Sequence, residues 1–282
     1  MNTRQRAVLF VLSLGLLWIL AAAGSGVAGL EPRDDWSEPY PGVQFLQRVI
    51  PEEPNHIHAL VIDLAHPDIA FEVTRPDDRG MRTSEFAERY GVQIALNAGF
   101  FNQLNHNAIG ATMGGGEPWP GSTGHSSYAY IALGAGNRVE ISELGERLEE
   151  PEDWMEHVVS GTPVLLRDGA ISVEESDSDF ARPHPRTAIG VSGDGTALII
   201  AVVDGRWPGG SRGMTLVEMA ELMSELGAHD ALNLDGGGST SLYVEAAGGL
   251  VNRPSGGVER VVSNHLGVRV AAAGEEALDD AA

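Results

Sequence analysis

Alternating or continuously apolar runs of strand length recur along the chain, and turns rich in glycine and proline separate them. Because side chains on a strand alternate between the two faces of a sheet, this pattern predicts short strands that bury one or both faces. The predicted strands cover residues 43–49, 56–64, 69–74, 92–96, 128–133, 138–141, two stretches within 158–171, 188–191, 198–203, 231–234, 242–244 and 266–270. We therefore expect an α+β fold of mixed, mostly antiparallel sheets with few helices.

Helical periodicity is clearest at residues 215–226, where apolar residues repeat at intervals of three and four. Thr215 is the predicted N-cap, Glu218 completes a capping box, and Gly227 ends the helix. A second, shorter helix is predicted over residues 83–90, with Thr83 or Ser84 as its cap.

Three stretches lack a periodic pattern. Residues 30–41 are proline-rich and acidic and predict a linker, whereas residues 103–127 predict a long surface loop that could act as a lid. Residues 143–156 predict a solvated acidic segment with one helical turn near Trp154. The expected organisation is a linker and first strand over 29–54, one domain over 55–271, and a disordered acidic tail over 272–282.

The N-terminal residues 1–28 have the pattern of a secretory signal peptide. Arg4 and Arg6 precede an apolar stretch over residues 7–23, and small residues follow it. The stretch is at the short limit for a membrane-spanning helix, so an uncleaved anchor remains an alternative. The sequence thus predicts an exported protein, periplasmic, extracellular or anchored facing outward, with membrane contact only through this segment.

Composition excludes several chemistries. The 282 residues include no cysteine and no lysine, and the formal net charge is −22. Without cysteine there is no disulfide or thiolate site, and without lysine there is no Walker A lysine, Schiff base or Ser-Lys dyad. The acidic surface opposes binding to nucleic acid and anionic lipid.

The most informative stretch is the apolar run 231–234, which is followed by Asp235, three glycines and three hydroxyl residues. Glycine permits close approach of backbone and ligand, and backbone N–H groups beside hydroxyls suit an anionic or polyhydroxylated ligand. Taken alone, the pattern also fits a hairpin turn with a polar tip. The candidate binding residues here are Gly236, Gly237, Gly238, Ser239 and Thr240.

Other predicted strand ends carry polar or aromatic residues in similar contexts. Amides suit sugar hydroxyls, aromatic faces suit sugar C–H surfaces, and arginine suits phosphate or carboxylate. Each of these residues alone also fits a structural role, and for Asp204 a turn-stabilising role is as good. The further candidates are Asn97, Gly99, Phe100, Arg186, Thr187, Asp204, Asn252, Arg260 and Asn264.

Metal chemistry has little support. His56 and His58 fall on one face of a predicted strand, but no third ligand is near them in sequence, which favours a solvated or packed pair. No zinc-hydrolase motif and no serine-hydrolase elbow is present. We therefore predict no cofactor and no metal.

Together, several motifs resemble the phosphodiester glycosidase family, which includes an animal lysosomal "uncovering" enzyme and bacterial exopolysaccharide-biosynthesis-type proteins. The resemblance covers about residues 55–271. The motifs, in chain order, are NAGFFN (97–102), GTPVLLRDG (161–169), RPHPRTAIG (182–190), VVDGR (202–206), NLDGGGST (233–240), VNRPSGG (251–257) and RVVSNHLGV (260–268).

The resemblance implies a hydrolase that cleaves the C1–O bond of a sugar-1-phosphodiester. Together with the predicted export, it favours a cell-surface or exopolysaccharide polymer as the substrate. It implies that Arg186, with Arg260 as a second candidate, binds the phosphate, and that Asp235 stabilises the oxocarbenium-like centre or acts as nucleophile or base. Asp204 is the candidate second carboxylate. The alternatives are a non-catalytic glycan-binding or exopolysaccharide assembly protein and, third, a metal-dependent phosphodiesterase.

Overall fold

The structure, a computed structural model, describes residues 32–122, 124–176 and 178–270. The predicted signal segment (1–28) and acidic tail (272–282) lie outside the described residues. Among these described residues, none of the helices has the length and apolar character needed to cross a membrane.

The described residues form two helices and many short strands. In chain order these are β1 (Arg33–Tyr40), β2 (Val43–Ile50), β3 (Asn55–Asp63), β4 (Ile69–Val73), α1 (Thr83–Tyr90), β5 (Ile94–Asn97), β6 (Phe101–Asn102), β7 (Asn107–Ala108), β8 (Met113–Gly114), β9 (Glu117–Pro118), β10 (Ala129–Gly134), β11 (Arg138–Ile141), β12 (Met155–Gly161), β13 (Val164–Arg167), β14 (Ala170–Ile171), β15 (Arg186–Val191), β16 (Ala197–Val203), α2 (Leu216–Glu225), β17 (Asp230–Asn233), β18 (Leu242–Val244), β19 (Gly249–Leu250) and β20 (His265–Val270).

The strands build three main sheets and a small hairpin, β6–β7. Sheet I has the order β1-β2-β3-β16-β15-β17-β13-β14, sheet II the order β11-β10-β12-β8-β9, and sheet III the order β19-β18-β5-β20-β4. The strand pairs in these sheets are antiparallel, as in β3–β16 and β5–β20. The predicted sheet-rich α+β fold with few helices is confirmed.

Sheet I has two buried faces, which explains its long apolar strands. On one face, Phe45, Leu60 and Ile200 join side chains of sheets II and III in the main core. On the opposite face, alternate residues of the same strands pack under α2 in a second cluster. Burial of an aliphatic side chain contributes about 1.5–3 kcal/mol, so this layered core is the main stabilising feature.

The ends of α2 follow the predicted signals. Thr215 caps the helix by accepting from the Glu218 N–H, and the Glu218 side chain returns to the Thr215 N–H, so the predicted capping box is confirmed. Helix α1 covers the predicted residues, but its N-cap is Arg82, one residue before the predicted Thr83 or Ser84. Glu85 closes the box there by accepting from the Arg82 N–H.

The predicted linker over residues 30–41 is wrong for most of its length. Arg33–Tyr40 form β1, the edge strand of sheet I, which pairs with β2. Its side chains are mostly exposed, so backbone pairing and the ion pair of Asp34 with Arg48 hold it rather than apolar burial. Pro39 is tolerated because an edge strand need not pair both sides.

The predicted surface loop or lid over residues 103–127 is also wrong in its middle. Met113–Gly114 joins sheet II through β12, and the Trp119 side chain is buried. The Trp119 indole donates to the Thr74 carbonyl at 3.0 Å, which ties this segment to the end of β4. Near Trp154 the chain forms a hydrogen-bonded turn that leads into β12 rather than a helical turn.

Candidate active site

The ends of three strands meet at Asp235. Strand β17 ends at Asn233, which pairs with Ala188 of β15. Arg186, the first residue of β15, therefore lies at the same end of sheet I. The Asp235 N–H donates to the Ala98 carbonyl, just beyond β5, at 3.0 Å. The antiparallel register therefore places Asp235 and Arg186 where sheet I meets sheet III.

A cleft of about 330 Å³ opens at this junction. Its size is in the range of small-ligand pockets, and it combines charged, polar and aromatic groups. The residues that line it are Phe100, Asp179, Phe180, His184, Arg186, Arg206, Asn233, Leu234, Asp235, Gly236 and Gly237.

Asp235 has an unusual carboxyl group. Burial raises its pKa to about 6, although the Ser239 hydroxyl, the Gly236 N–H and the charge of Arg260 favour the carboxylate. The Gly236 N–H donates to Asp235 Oδ1 at 2.9 Å. A buried carboxyl with a pKa near neutrality, in a cleft, is a typical feature of a reactive group.

Arg186 is buried on one wall of the cleft, and the protein holds three of its N–H groups. Nε donates to the Met214 carbonyl at 2.9 Å, and Nη2 donates to the Phe180 and Arg182 carbonyls at 2.8 Å. Nη1 makes none of these bonds and remains for a ligand. Burial, and next the charge of Arg206, lower the pKa of Arg186 to about 10, so it stays cationic at neutral pH.

Arg206 is the second cation of the cleft. It has a φ of 56°, and its guanidinium lies against Gly237. A Cβ added to Gly237 would lie 3.1 Å from Arg206 Nη2. Its Nη2 lies 3.4 Å from His184 Nδ1, while His184 Nε2 lies 2.7 Å from the Asp179 carbonyl. Because that carbonyl can only accept, Nε2 carries the proton and Nδ1 accepts from Arg206.

Arg260 lies beside the glycine turn, on the Gly238 side. Its Nη1 donates to Ser239 Oγ at 3.2 Å, and its guanidinium packs directly on the Gly238 backbone. The turn offers fewer free N–H groups than the sequence predicts, because the Gly237 N–H donates to the Pro185 carbonyl. Within the described chain, the Gly238 N–H makes no hydrogen bond.

Aromatic rings form the other side of the cleft. Phe100 meets Tyr128 edge to face at 5.6 Å between centroids and Phe180 at 6.1 Å. Burial, and then the Asp235 charge, raise the pKa of Tyr128, so its hydroxyl stays protonated near the carboxylate. Such rings suit the C–H faces of a sugar.

The phosphodiester glycosidase family profile matches residues 90–269, which is more than half of the chain. The chain belongs to the phosphodiester glycosidase family. It is 29% identical over 191 residues to bovine N-acetylglucosamine-1-phosphodiester alpha-N-acetylglucosaminidase, a match that covers 63% of this chain and 35% of that protein. It is 44% identical over 89 residues to the uncharacterized prophage protein YomE of Bacillus subtilis, across 32% of this chain and 13% of that protein.

The fold agrees with a solved relative. The catalytic domain of zebrafish N-acetylglucosamine-1-phosphodiester alpha-N-acetylglucosaminidase, auto-inhibited by its pro-peptide, superposes with a TM-score of 0.63 at 21% identity. The match covers 88% of this chain and 86% of that chain. This likeness shows a shared fold. The chain spans little more than a third of the length of its mammalian relatives, 35% of the bovine and 40% of the mouse protein.

Not every predicted site residue lies in the cleft. Phe100, Arg186, Asp235, Gly236 and Gly237 line it. Gly238, Ser239 and Arg260 lie directly beside Asp235, as described above. The other predicted residues are buried in the surrounding structure: Asn97, Gly99, Thr187, Asp204, Thr240, Asn252 and Asn264.

The buried residues support the site from behind. Asn97 Oδ1 accepts from the Thr187 hydroxyl and the Ser241 N–H, and Asn97 Nδ2 donates to the Asp235 carbonyl. Asn264 Oδ1 accepts from the Gly99 N–H at 2.7 Å. These amides therefore hold the strand ends together. Asn97 uses both its oxygen and its nitrogen on protein partners, whereas Asn264 Nδ2 has no hydrogen-bond partner among the described residues.

Asp204 lies outside the cleft lining. Its Oδ1 accepts from Asn252 Nδ2 at 3.3 Å and from the Arg253 N–H at 2.8 Å, and its side chain is buried. Its Oδ2 lies 3.9 Å from Nε2 of His58, one of the two strand histidines. This arrangement anchors the loop after β16.

Six residues that line the cleft were absent from the predicted set: Asp179, Phe180, His184, Arg206, Asn233 and Leu234. Tyr128, which packs on Phe100, was absent from it as well. His184 and Arg206 carried a signal, since one lies between two prolines and the other directly follows a predicted strand end. Tyr128 and Phe180 carried none, because each reaches the cleft through folding of distant segments.

One group of side chains in residues 32–122, 124–176 and 178–270 has spacing suited to a metal: Asp168, His229 and Asp230. It lies at the start of β17, the end of that strand opposite to Asp235. Arg167 already pairs with Asp230 at 3.2 Å, which opposes a bound cation. The absence of a cofactor and a metal in the reaction stays a prediction.

Proposed function

We propose that this protein hydrolyses the C1–O bond of a sugar-1-phosphodiester in the cleft at Asp235. The observation that carries the proposal is one carboxyl with a pKa of about 6 beside two arginines, Arg186 and Arg206, in a cleft with an aromatic wall. The names of the mammalian relatives support N-acetylglucosamine as the first sugar to test.

The arginines suit the leaving group. Cleavage at C1–O sends the bonding electron pair to the phosphate oxygen, so a second negative charge develops on phosphate as the bond breaks. Positioned cations stabilise such a charge strongly in a partly desolvated site. Arg186 Nη1 and the Arg206 guanidinium are the donors for it, and a phosphate leaving group needs this stabilisation more than it needs a proton.

Asp235 suits the sugar side of the same bond. With a pKa of about 6 it is mostly ionised at pH 7, and a carboxylate stabilises the positive charge that builds at C1. It acts there as nucleophile or as the base that activates water. Water then supplies the oxygen of the free sugar, and the other product is a phosphomonoester.

Phe100 and Tyr128 suit the sugar ring. Their edge-to-face pair leaves an aromatic surface next to Asp235, so a sugar packed there presents C1 to the carboxylate. The fixed support of Asp235 by Asn97 keeps this geometry without movement of the backbone.

We further propose that the protein is exported and acts on a cell-surface or exopolysaccharide polymer with sugar-1-phosphate linkages. The signal-like pattern of residues 1–28 supports export, since the charged start, apolar stretch and small residues occur in the required order. N-terminal sequencing of the protein recovered outside the cytoplasm tests this; a full-length cytoplasmic product contradicts it.

The decisive experiment locates the bond that breaks. The purified protein is incubated with methyl N-acetylglucosamine-1-phosphate or UDP-N-acetylglucosamine in heavy-oxygen water. Mass spectrometry of the products then shows which one carries the heavy oxygen. We expect the label on the sugar. Label on the phosphate contradicts the proposal and makes the protein a phosphodiesterase.

Two controls define the site. Asp235→Asn and Arg206→Ala are expected to lose turnover, whereas EDTA is expected to leave it unchanged. Loss of activity in EDTA, restored by a divalent cation, contradicts the metal-free reaction. No turnover of either substrate or of a panel of sugar-1-phosphate polymers favours a glycan-binding or assembly protein.

A further inference from the structure

The arginines near the cleft differ from most others in this acidic chain. The chain has 40 acidic and 18 basic residues, and many arginines pair with a carboxylate, as Arg48, Arg167 and Arg269 do. Among the described residues, four arginines around the cleft have no carboxylate within 4.0 Å: Arg186, Arg206, Arg253 and Arg260. In a protein with excess acid, unpaired arginines gathered at one place indicate an anionic ligand.

Arg186 and Arg206 line the cleft together with Asp235 and form the proposed phosphate site, and Arg260 lies beside the glycine turn. Arg253 does not line the cleft. It lies on the loop after β19, and its N–H donates to Asp204, at the end of β16. Arg206 follows Asp204 by two residues, so one turn links the cleft to Arg253.

Trp207 lies between the two arginines. It follows Arg206 directly in the chain, and the Arg253 guanidinium stacks over its ring at 4.2 Å from the centroid. Stacking leaves the edges of a guanidinium, where its N–H groups point, free to bind an anion. Arg253 is exposed, so solvent and ligands reach those edges.

The platform under Arg253 is well fixed. His56 packs on Trp207 at 5.1 Å between ring centroids, and a Cβ at Gly210 would lie 2.2 Å from the Trp207 ring. The Trp207 N–H donates to the Ser211 carbonyl at 3.0 Å. A ring fixed on its loop presents the stacked guanidinium with little loss of side-chain entropy on binding.

We propose that Arg253, stacked on Trp207, forms a subsite for a second anionic group on the leaving-group side of the scissile phosphate. This inference rests on the proposed function, which places the scissile phosphate at Arg186 and Arg206. The Phe100 wall receives the sugar, so the chain beyond the phosphate extends past Arg206 toward Trp207. The second anion is a phosphate, either adjacent, as in a diphosphate, or one sugar away, as in a repeating polymer.

The test compares three substrates. Methyl N-acetylglucosamine-1-phosphate has one phosphate, UDP-N-acetylglucosamine has an adjacent second phosphate, and a dimer of N-acetylglucosamine-1-phosphate has a second phosphate one sugar away. In the wild type, kcat/KM is expected to be about fivefold higher for the preferred doubly charged substrate, the size of one exposed charge contact. Which of the two is preferred identifies the source of the second anion.

Arg253→Ala is expected to remove this preference and leave kcat/KM for the methyl ester unchanged. Its backbone N–H, and so its bond to Asp204, is retained. Arg75→Ala is the matched control, since Arg75 also lacks a carboxylate partner but packs on Gly115, away from the cleft lining. Trp207→Phe keeps a ring and is expected to retain most of the preference.

Three outcomes decide the inference. If Arg253→Ala lowers kcat/KM equally for all three substrates, Arg253 has a structural role and the inference is overturned. Unchanged kcat/KM for all three substrates overturns it as well.

Binding of the dimer to Asp235→Asn, measured by calorimetry, tests the subsite without turnover. If no substrate is cleaved but Arg253→Ala still weakens dimer binding, the proposed function fails while the subsite stands.

Discussion

Asn97 donates from Nδ2 to the main-chain carbonyl of Asp235 at 2.6 Å, across 138 residues of sequence. The same amide accepts from the Thr187 hydroxyl and the Ser241 N–H, so it joins β5, β15 and the glycine turn. The site thus depends on a buried amide that does not itself line the cleft.

Asn97→Ala is therefore expected to lower the free energy of unfolding by about 2–3 kcal/mol, because buried partners lose their hydrogen bonds. Turnover is expected to fall as well, since the Asp235 backbone is no longer held. Urea denaturation measures the first effect. Asn105→Ala, in an exposed turn, is the control and is expected to change stability by less than about 0.5 kcal/mol. Equal stability of the two variants contradicts the role of Asn97.

The sequence predicted the sheets, both helices and the residues nearest Asp235, because apolar periodicity and turn residues are local signals. It missed β1, whose side chains are mostly exposed, since edge pairing through the backbone leaves no apolar pattern. Asp204 and Arg206 end the same strand, and local sequence does not show which one faces the cleft. The turn after β16 determines this. Asp204 accepts buried hydrogen bonds from the following loop, whereas Arg206, with a φ of 56°, lines the cleft.

The raised pKa of Asp235 predicts the pH dependence of activity. Only the carboxylate stabilises positive charge at C1, so kcat/KM is expected to rise with pH and to level off above a midpoint near 6. A pH profile from 4 to 8 on the methyl ester checks this. A midpoint near 4, the ordinary value for an exposed aspartate, contradicts the buried state of the carboxyl.

The same group predicts a pH dependence of stability. Its folded-state pKa of about 6 exceeds the ordinary value of 3.8, so the folded state binds the proton more tightly between these two values. The free energy of unfolding therefore falls as pH rises from about 4 to 6. Asp235→Asn removes this pH-dependent loss of stability and is expected to be more stable than wild type at pH 7, by about 3 kcal/mol, while it loses turnover. Denaturation at pH 4 and 7 checks it; an Asn variant less stable at pH 7 contradicts it.

Arg186 and Arg206 are expected to respond differently to substitution. Arg206→Ala removes an exposed guanidinium and is expected to raise KM and lower kcat with little change in stability. Arg186→Ala also removes three hydrogen bonds from the buried guanidinium to main-chain carbonyls, and is expected to cost about 2–3 kcal/mol of stability besides turnover. Thermal melts beside kinetics separate the two; identical melts contradict the anchoring role of Arg186.

Asp204 is expected to matter for folding rather than for the chemical step. Asp204→Asn retains an acceptor for the Arg253 N–H, so activity is expected to stay within about threefold of wild type. Asp204→Ala leaves that N–H without its acceptor and removes one of the two acceptors of Asn252 Nδ2, so it is expected to destabilise the protein by about 2 kcal/mol. Loss of kcat by more than a hundredfold in a stable Asp204→Asn variant would instead make Asp204 a second reacting carboxylate.

Gly238 and Arg260 are expected to act as a pair. A Cβ at Gly238 would overlap the Arg260 guanidinium, which is a movable side chain, so Gly238→Ala displaces the guanidinium and leaves the fold intact. Because the Arg260 charge lowers the pKa of Asp235, its displacement raises that pKa, and the midpoint of kcat/KM shifts above 6. Arg260→Ala is expected to give the same shift, and the double variant no further one, since both changes remove one interaction. Additive shifts in the double variant contradict the pairing and indicate that the alanine acts on the glycine turn itself.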